Sequence, residues 1–487
     1  MTWELIDSYF KNKNIAQMEI DSYDQFLENR LDDIVKENAL IVPKIEEVRI
    51  EVSDIEIGSP KIIEADGSPR DEFTPMEARL RNRTYAGPIH LTMRLYRRDV
   101  EQDARRTYIG DMPTMVKSKL CRLNGKTPEE LVELGEDPKD FGGYFILNGS
   151  EKSLMTQEVL ASDRVLISEG EKGVVAEVIS TRGAFKGRVR ILRSPEGLLY
   201  ISFPTSPKRM ALFTLFKALG LRTKKEIFDA FPEEKEVQND LLLNWEECET
   251  ATDEEALDKL GKYVAPGQVI DYRLRRAREV IDGFLLPHIG QDEPARLAKA
   301  YYLAMMGTKA IEKAYKLRGK DDKDHYANKR LELSGKLMEH LFRYSFKYFV
   351  KDIRFQIDRT VTRRRKLNIS TIVRPGAVSE RIKFAMSTGN WIGRSTGVAK
   401  FMDRSNYLAP LTDMRKVKSQ LSKTRELYEA RDVHGTHWGR LCPIETPDGP
   451  QCGLVKNLAL MTEVTTDADE SPVEGFLHKQ GVKLKKL

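Results

Sequence analysis

The spacing of apolar residues divides the chain into stretches of different period. Over residues 2–38, Ile20, Tyr23, Phe26, Leu27, Leu31 and Ile34 recur at intervals of three and four, which predicts helices with one buried face. From Val48 to Ile57 the period falls to two. Val48, Ile50 and Val52 alternate with charged residues, the pattern of a half-exposed strand. Residues 58–76 are rich in Gly and Pro and predict a turn region. Ile89–Tyr96 predicts a second strand, and Gly142–Gly149 a short apolar strand ending in a turn. Residues 162–203 alternate Val or Ile with polar groups and predict a sheet broken at Gly183, Gly187 and Gly197. From 208 to 310 the period is helical again, through Leu212, Leu215, Phe216 and Leu219 and then Ala295–Met306, and this shift marks a separate domain. A long helix is expected from about Leu331 to Arg365, with Leu337, Leu341, Tyr344 and Tyr348 along one stripe. Thr465–Ser471 reads as a linker and Lys483–Lys486 as a loose end.

These elements give a mixed α+β, multidomain fold class, and 487 residues exceed one typical core. No apolar run approaches the ~20 residues needed to cross a bilayer. The acidic start, Met1-Thr2-Trp3-Glu4, lacks the basic end of a signal peptide, so a cytoplasmic protein is expected. Four cysteines (Cys121, Cys248, Cys442 and Cys452) are too scattered for a disulfide framework. The net charge of +5, from 80 basic and 75 acidic residues, says less than its distribution. Basic clusters lie at Arg94/Arg97/Arg98, Arg105/Arg106, Arg363–Lys366 and Arg415/Lys416/Lys418, and acidic stretches at Glu129–Asp140 and Asp229–Glu249. A chain so divided can hold a phosphate backbone locally without being adhesive everywhere, although a single cluster is more often a solvated face.

The densest candidate chemistry is the run His434–Leu458. It holds four glycines, three prolines, two histidines, Trp438 and a carboxylate framed as Pro443-Ile444-Glu445-Thr446-Pro447. Proline fixes φ and removes an N–H, so the run cannot be a long regular element, and ordered loops of this kind aim side chains at something. His434, His437, Cys442 and Cys452 lack a Cys-x-x-Cys anchor. The expectation is that the histidines satisfy backbone groups and the thiols pack as small apolar groups, with no metal bound. Asp321, Asp322 and Asp324 lie beside Lys320, Lys323 and Arg330, which points to structural ion pairing and capping. Asp467, Asp469 and Glu470 sit in the apparent linker.

The run His434–Leu458 resembles the signature region of the second-largest (B/beta-like) subunit of multisubunit DNA-directed RNA polymerases, in its archaeal form. Phe145-Ile146-Leu147-Asn148-Gly149-Ser150-Glu151-Lys152, Asp321–Leu331 and Thr388-Gly389-Asn390-Trp391 resemble further motifs of that family. The resemblance covers nearly the whole chain. It implies protrusion, lobe and fork domains: protrusion at 15–160 and 311–375, lobe at 161–310 and fork at 376–445. Residues 446–487 would begin the following domain and end in a tail. The length corresponds to the N-terminal half of a B subunit split into two polypeptides. Implied partners are the C-terminal half of that subunit, the largest subunit, other polymerase subunits, the DNA template and the RNA–DNA hybrid, with no membrane.

By the same resemblance, the chain forms part of the DNA cleft and active-centre wall for template-directed RNA synthesis from NTPs and is not catalytic alone. No cofactor is expected on it, since Mg²⁺ belongs to the largest subunit. Within the fork, Arg394, Lys400, Arg404, Arg415, Lys416, Lys418, Arg425 and Arg431 form the pool expected to line nucleic acid, because phosphate contacts hold register without reading sequence. Arg431 and Glu445 are the candidates nearest the active centre. Glu445 either orients a neighbouring basic group or caps the Pro-rich turn. Lys400–Asn406 resembles the bacterial segment of the rifamycin pocket, but Asp413 and Lys418 replace a His and a Ser, which implies weak or absent rifamycin inhibition of the assembled enzyme. The alternatives are a non-enzymatic nucleic-acid-binding scaffold and a self-contained nucleotidyltransferase. The second lacks both a carboxylate triad and a Gly-x4-Gly-Lys-Ser/Thr loop.

Overall fold

A computed structural model describes residues 2–43, 48–64, 66–183, 185–207, 209–248, 250, 252–363, 365–391, 396–422, 427–466 and 471–482. The chain forms two compact units: Met1–Val159 with Arg330–Ala468, and Leu160–Lys329 with Asp469–Leu487. Both mix helices and sheets, and the change of period near 208 does not mark a separate domain, because the sheet before it and the helices after it share the unit Leu160–Lys329. Among the described residues no helix is long and apolar enough to cross a membrane.

The first unit is organised on the helix Ser334–Thr362. Leu337, Met338, Leu341, Phe342, Phe346, Phe349, Val350, Ile353 and Ile357 are buried on its core side. The expected stripe is right for Leu337 and Leu341 but not for the tyrosines. Tyr344 and Tyr348 are half-exposed on the flank, with ring centroids 4.7 Å apart and the Arg381 guanidinium 4.1 Å above Tyr348. The expected start is also wrong, because Leu331 lies in the strand Lys329–Glu332. The helix begins at Ser334, whose N–H donates to Glu19 Oε2 at 2.8 Å, and Glu19 belongs to the helix Gln17–Gln25. The first orphan amide of one helix is thus satisfied by a carboxylate from another, a device that no local pattern reveals. The two helices approach so closely that a Cβ on Gly335 would stand 1.8 Å from Ser22 O.

Against these helices lies an antiparallel sheet in the order Leu40–Ile41, Val48–Ile57, Ala86–Arg97, Val100–Pro113. The last strand lacks apolar alternation in its first half and was not expected. A two-residue turn places it there: Arg98 and Asp99 both take positive φ, and Arg97 pairs with Val100, so the right-twisted partner strand dictates its course. Asn148 and Gly149 make a turn of the same kind between Phe145–Leu147 and Ser150–Leu154.

In the second unit the strands Leu166–Gly170, Gly173–Arg182, Phe185–Arg193, Leu199–Ser202 and Met210–Ala211 pair antiparallel in chain order. Gly183 and Gly197 fall at turns, as expected. Gly187 does not break the sheet. It pairs with Ser180 inside a strand, where the Phe185 ring occupies the space a side chain would need. The helices Leu212–Leu219 and Ala295–Ala314 supply much of the core. Asp240, almost fully buried, receives Arg193 through two hydrogen bonds of 2.7 and 3.1 Å and the Tyr315 hydroxyl at 3.0 Å. In the acidic block of this unit Asp321 pairs with Arg318 and Asp324 with Lys329, while Asp322 Oδ1 accepts the backbone N–H groups of Asp324 and His325. Pairing and capping are both present, with Arg318 and Lys329 among the pairing cations.

Two predictions follow from the packing of the first unit. Gly335→Ala must push the helix Ser334–Thr362 off its neighbour and should cost about 3 kcal/mol, read as a fall in the urea midpoint without a change of slope. Asp24, buried beside the Lys119 N–H that it accepts, is pushed up to about 6 by its burial, from 3.8. Its contribution to stability is therefore fully present below pH ~4 and is lost as pH rises through ~6. Asp24→Asn keeps an acceptor for Lys119 and does not titrate. Measured against the parent, it should be the more stable protein at pH 7.5, with the advantage shrinking steadily between pH 6 and 4. A variant less stable at every pH would reverse the assignment.

Candidate nucleic-acid interface

The Pro- and Gly-rich run is hung from a sheet in the order Lys329–Glu332, Thr156–Leu160, Lys416–Ser419, Val455–Asn457. Val417 runs parallel to Thr156 and antiparallel to Lys456. Lys456 Nζ reaches across the middle strand to Glu158, at 3.0 and 3.2 Å, and both side chains are buried. At the other end of the run, Leu441 bridges Leu458 and the Cys442 N–H donates to Asn457 O at 2.9 Å. Within His434–Leu454 the chain makes two single-turn 3₁₀ helices, Gly435–His437 and Gly449–Gln451.

The loop's polar backbone is satisfied from within. Thr446 Oγ1 accepts the Gly453 N–H at 2.9 Å and donates to Val455 O at 3.0 Å. Arg431 Nη1 donates to Pro450 O and Cys452 O, at 2.9 and 2.8 Å. Gly453 has φ +71°, and a Cβ there would lie 2.3 Å from Arg431 O, so glycine is required. His434 Nδ1 accepts the Thr436 N–H, and His437 Nδ1 the His434 N–H, which is the backbone-satisfying role expected of both histidines. Among the described residues no group of three or more His, Cys, Asp or Glu is placed to hold a metal ion.

The candidate cations fall into distinct environments. Lys400, on the strand Ala399–Phe401, and Lys416 both donate to Asp413 Oδ1, at 2.9 and 2.7 Å. Burial pushes the Asp413 carboxyl up, but the hydrogen bonds from Lys416 and Lys400 outweigh it and hold the group below the usual range. Arg404 donates to Glu151 at 2.7 Å and to Asp140 at 2.9 Å, over the Tyr144 ring. Lys418 Nζ donates to Thr396 O and Gly397 O. Arg415 is buried at the end of the helix Leu408–Arg415 and holds Ala459 O and Thr462 O. Arg394 and Arg425 lie outside the described residues. Lys400 and Arg404 keep nearly half of their side-chain surface open.

Glu445 is exposed, and among the described residues it makes no hydrogen bond or ion pair. The turn-capping alternative for it is filled by Thr446 instead. Its neighbours Ile444 and Trp438 are 85% and 88% exposed. Two groups escaped the sequence reasoning. Lys152, buried, sits 3.2 Å over the Phe401 ring and donates to Ser387 O. Arg79 joins Glu136, Glu151 and Tyr144, and through Glu151 shares a partner with Arg404. The motif Phe145–Lys152 contains Glu151 and Lys152 but does not say where they point.

The chain matches the family model described as RNA polymerase beta subunit over residues 14–380, and RNA polymerase Rpb2, domain 3, over 400–464. It is 45% identical to DNA-directed RNA polymerase subunit Rpo2N of Methanocaldococcus jannaschii, covering 98% of both chains. It is 42% identical to subunit Rpo2N of Halobacterium salinarum, covering 96% of this chain and 93% of that one. It is also 44% identical to subunit Rpo2 of Saccharolobus shibatae over 99% of its own length, and there it spans only 43% of the relative. With three quarters of its residues inside one family model and such relatives on both sides, the chain belongs to the RNA polymerase beta-subunit family.

Proposed function

We propose that this chain works as the N-terminal part of the second-largest subunit of a cytoplasmic DNA-directed RNA polymerase. It would form one wall of the cleft in which a template directs nucleotidyl transfer from NTPs to an RNA 3′ end. Similarity to the Rpo2 and Rpo2N subunits along the full described chain carries this reading. The protrusion corresponds to 15–160 and 311–375, the lobe to 161–310 and the fork to 376–445. Residues 446–487 begin the following domain, Mg²⁺ sits on the largest subunit, and the chain spans 43% of the Rpo2 relative.

The surface chemistry agrees with a wall rather than a catalytic centre. Lys400 and Arg404 face solvent with their positions fixed by carboxylates, which suits phosphate contact with a moving backbone. Glu445 stands on a braced loop with its carboxylate uncommitted, ready to orient a basic group on a partner chain. A free-standing scaffold gains no support, since nothing in it requires a loop so firmly braced beneath exposed Ile444 and Trp438.

Reconstitution tests the proposal. The chain alone should make no RNA, and RNA synthesis should appear only when a C-terminal B half and a largest subunit are added. Glu445→Ala should assemble normally and lower the elongation rate by at least about tenfold. Full activity without this chain would sink the assignment, and an unchanged rate in the Glu445 variant would remove that residue from the active centre's surroundings.

A further inference from the structure

The first unit contains a cavity of 690 Å³ between its N-terminal helices and the segment Leu460–Thr466. Arg415 lines it. Arg415 is 8% exposed as a residue, and its Nη2 is held by the carbonyls of Ala459 and Thr462. Nε makes no hydrogen bond, and among the described residues no carboxylate pairs with the group. A buried cation satisfied only by carbonyl dipoles retains most of its desolvation cost, which a negative charge brought alongside would offset.

Lys13 and Glu463 of the cavity are already committed to each other. Glu463 receives Lys13 and the Tyr9 hydroxyl, and Asp21 accepts from Gln17. The Asp21 carboxylate, whose hydrogen-bond partner is the neutral Gln17 amide, weighs against a polyanion such as a nucleic-acid backbone, whereas one carboxylate placed at the Arg415 guanidinium meets a cation with no ion-pair partner among the described residues. The remaining lining mixes the apolar Ile15, Met18, Leu460 and Val464 with Asn14, Thr462, Thr465 and Thr466, and Leu460 and Met461 continue the apolar part onto open surface. A volume of 690 Å³ suits a short peptide segment.

We propose that this cavity is a docking site for an Asp or Glu side chain of a neighbouring polypeptide, seated on Arg415 with an apolar residue beside it on Met18 and Val464. Arg415, one of the residues expected to line nucleic acid, then serves assembly instead. That the carboxylate belongs to another subunit rests on the function proposed above; the affinity of the cavity for a carboxylate does not.

The test uses the full chain with ¹³C-methyl-labelled methionines and two blocked peptides, Ac-Ala-Glu-Leu-Ala-NH2 and its Gln counterpart. The Glu peptide should shift the Met18 methyl signal saturably, and the Gln peptide should bind about tenfold more weakly, the loss of one charge-assisted hydrogen bond. Arg415→Met should abolish the difference while the remaining methionine signals stay dispersed. Equal binding of the two peptides, no response at Met18, or a preference for Glu that survives in a folded Arg415→Met variant would overturn the proposal. The peptide pair decides the matter on the parent protein even where that variant does not fold. Because no RNA synthesis is measured, failure here leaves the polymerase assignment standing.

Discussion

The first unit depends on one buried carboxylate. Glu19 is almost wholly out of water, and burial raises its pKa, opposed by hydrogen bonds from Ser334 and Thr156. Its Oε2 accepts the Ser334 N–H at 2.8 Å and its Oε1 the Thr156 hydroxyl at 2.9 Å, while the Ser334 hydroxyl donates to Glu19 O at 2.9 Å. Three elements far apart in the chain meet at this side chain: the helix Gln17–Gln25, the first residue of the strand Thr156–Leu160 and the start of the helix Ser334–Thr362. That strand is the parallel neighbour of Lys416–Ser419, which in turn pairs with the stem of the signature loop. A buried charge without its donors costs several kcal/mol, so the Glu19 carboxylate leaves little freedom in how these elements meet.

The cations of the candidate interface show the same economy. Most of them brace the surface before they can serve anything bound to it. Arg431 holds the Pro450 and Cys452 carbonyls, Lys418 those of Thr396 and Gly397, and Arg404 joins the Asp140 loop to Glu151. Hydrogen bonds of this kind lower the entropy that a loop loses when it meets a partner. They also explain why counting basic residues between 394 and 431 misjudges the surface. Lys400 and Arg404 combine a fixed position with open area, whereas Arg415 is buried and reaches only the wall of a cavity.

Legibility in the sequence followed the range of the interactions. Helices with one apolar face and strands of strict alternation declared themselves, as with Ile20–Ile34 and Val48–Val52. The strand Val100–Pro113 did not, because partner pairing and a two-residue turn place it rather than its own composition. The start of the helix Ser334–Thr362 was misplaced because its cap lies 315 positions away in sequence, at Glu19. At the candidate site the motifs located the loop and its glycines, but the partners of each arginine are set by tertiary approach. Asp413 is the exception. It lies three residues before Lys416 and pairs with it, a spacing visible in the sequence although its helical context was not.

The signature loop shows what internal satisfaction achieves. Thr446, Arg431, His434 and His437 hold the backbone groups of Pro450, Cys452, His434, Thr436, Gly453 and Val455 from within the loop. Trp438 and Ile444 nevertheless stand almost fully in water, and Glu445 stands between Ile444 and Thr446 with no partner of its own among the described residues. A loop braced beneath and bare above gains nothing for its own stability from that arrangement, because the apolar area it exposes is area left unburied. The gain arises when another surface covers it, since a group already held in place loses little further freedom on binding and meets developing charge without reorganising. Rigid presentation of an uncommitted carboxylate next to an exposed Ile444 therefore stabilises the chain only once another surface covers that loop.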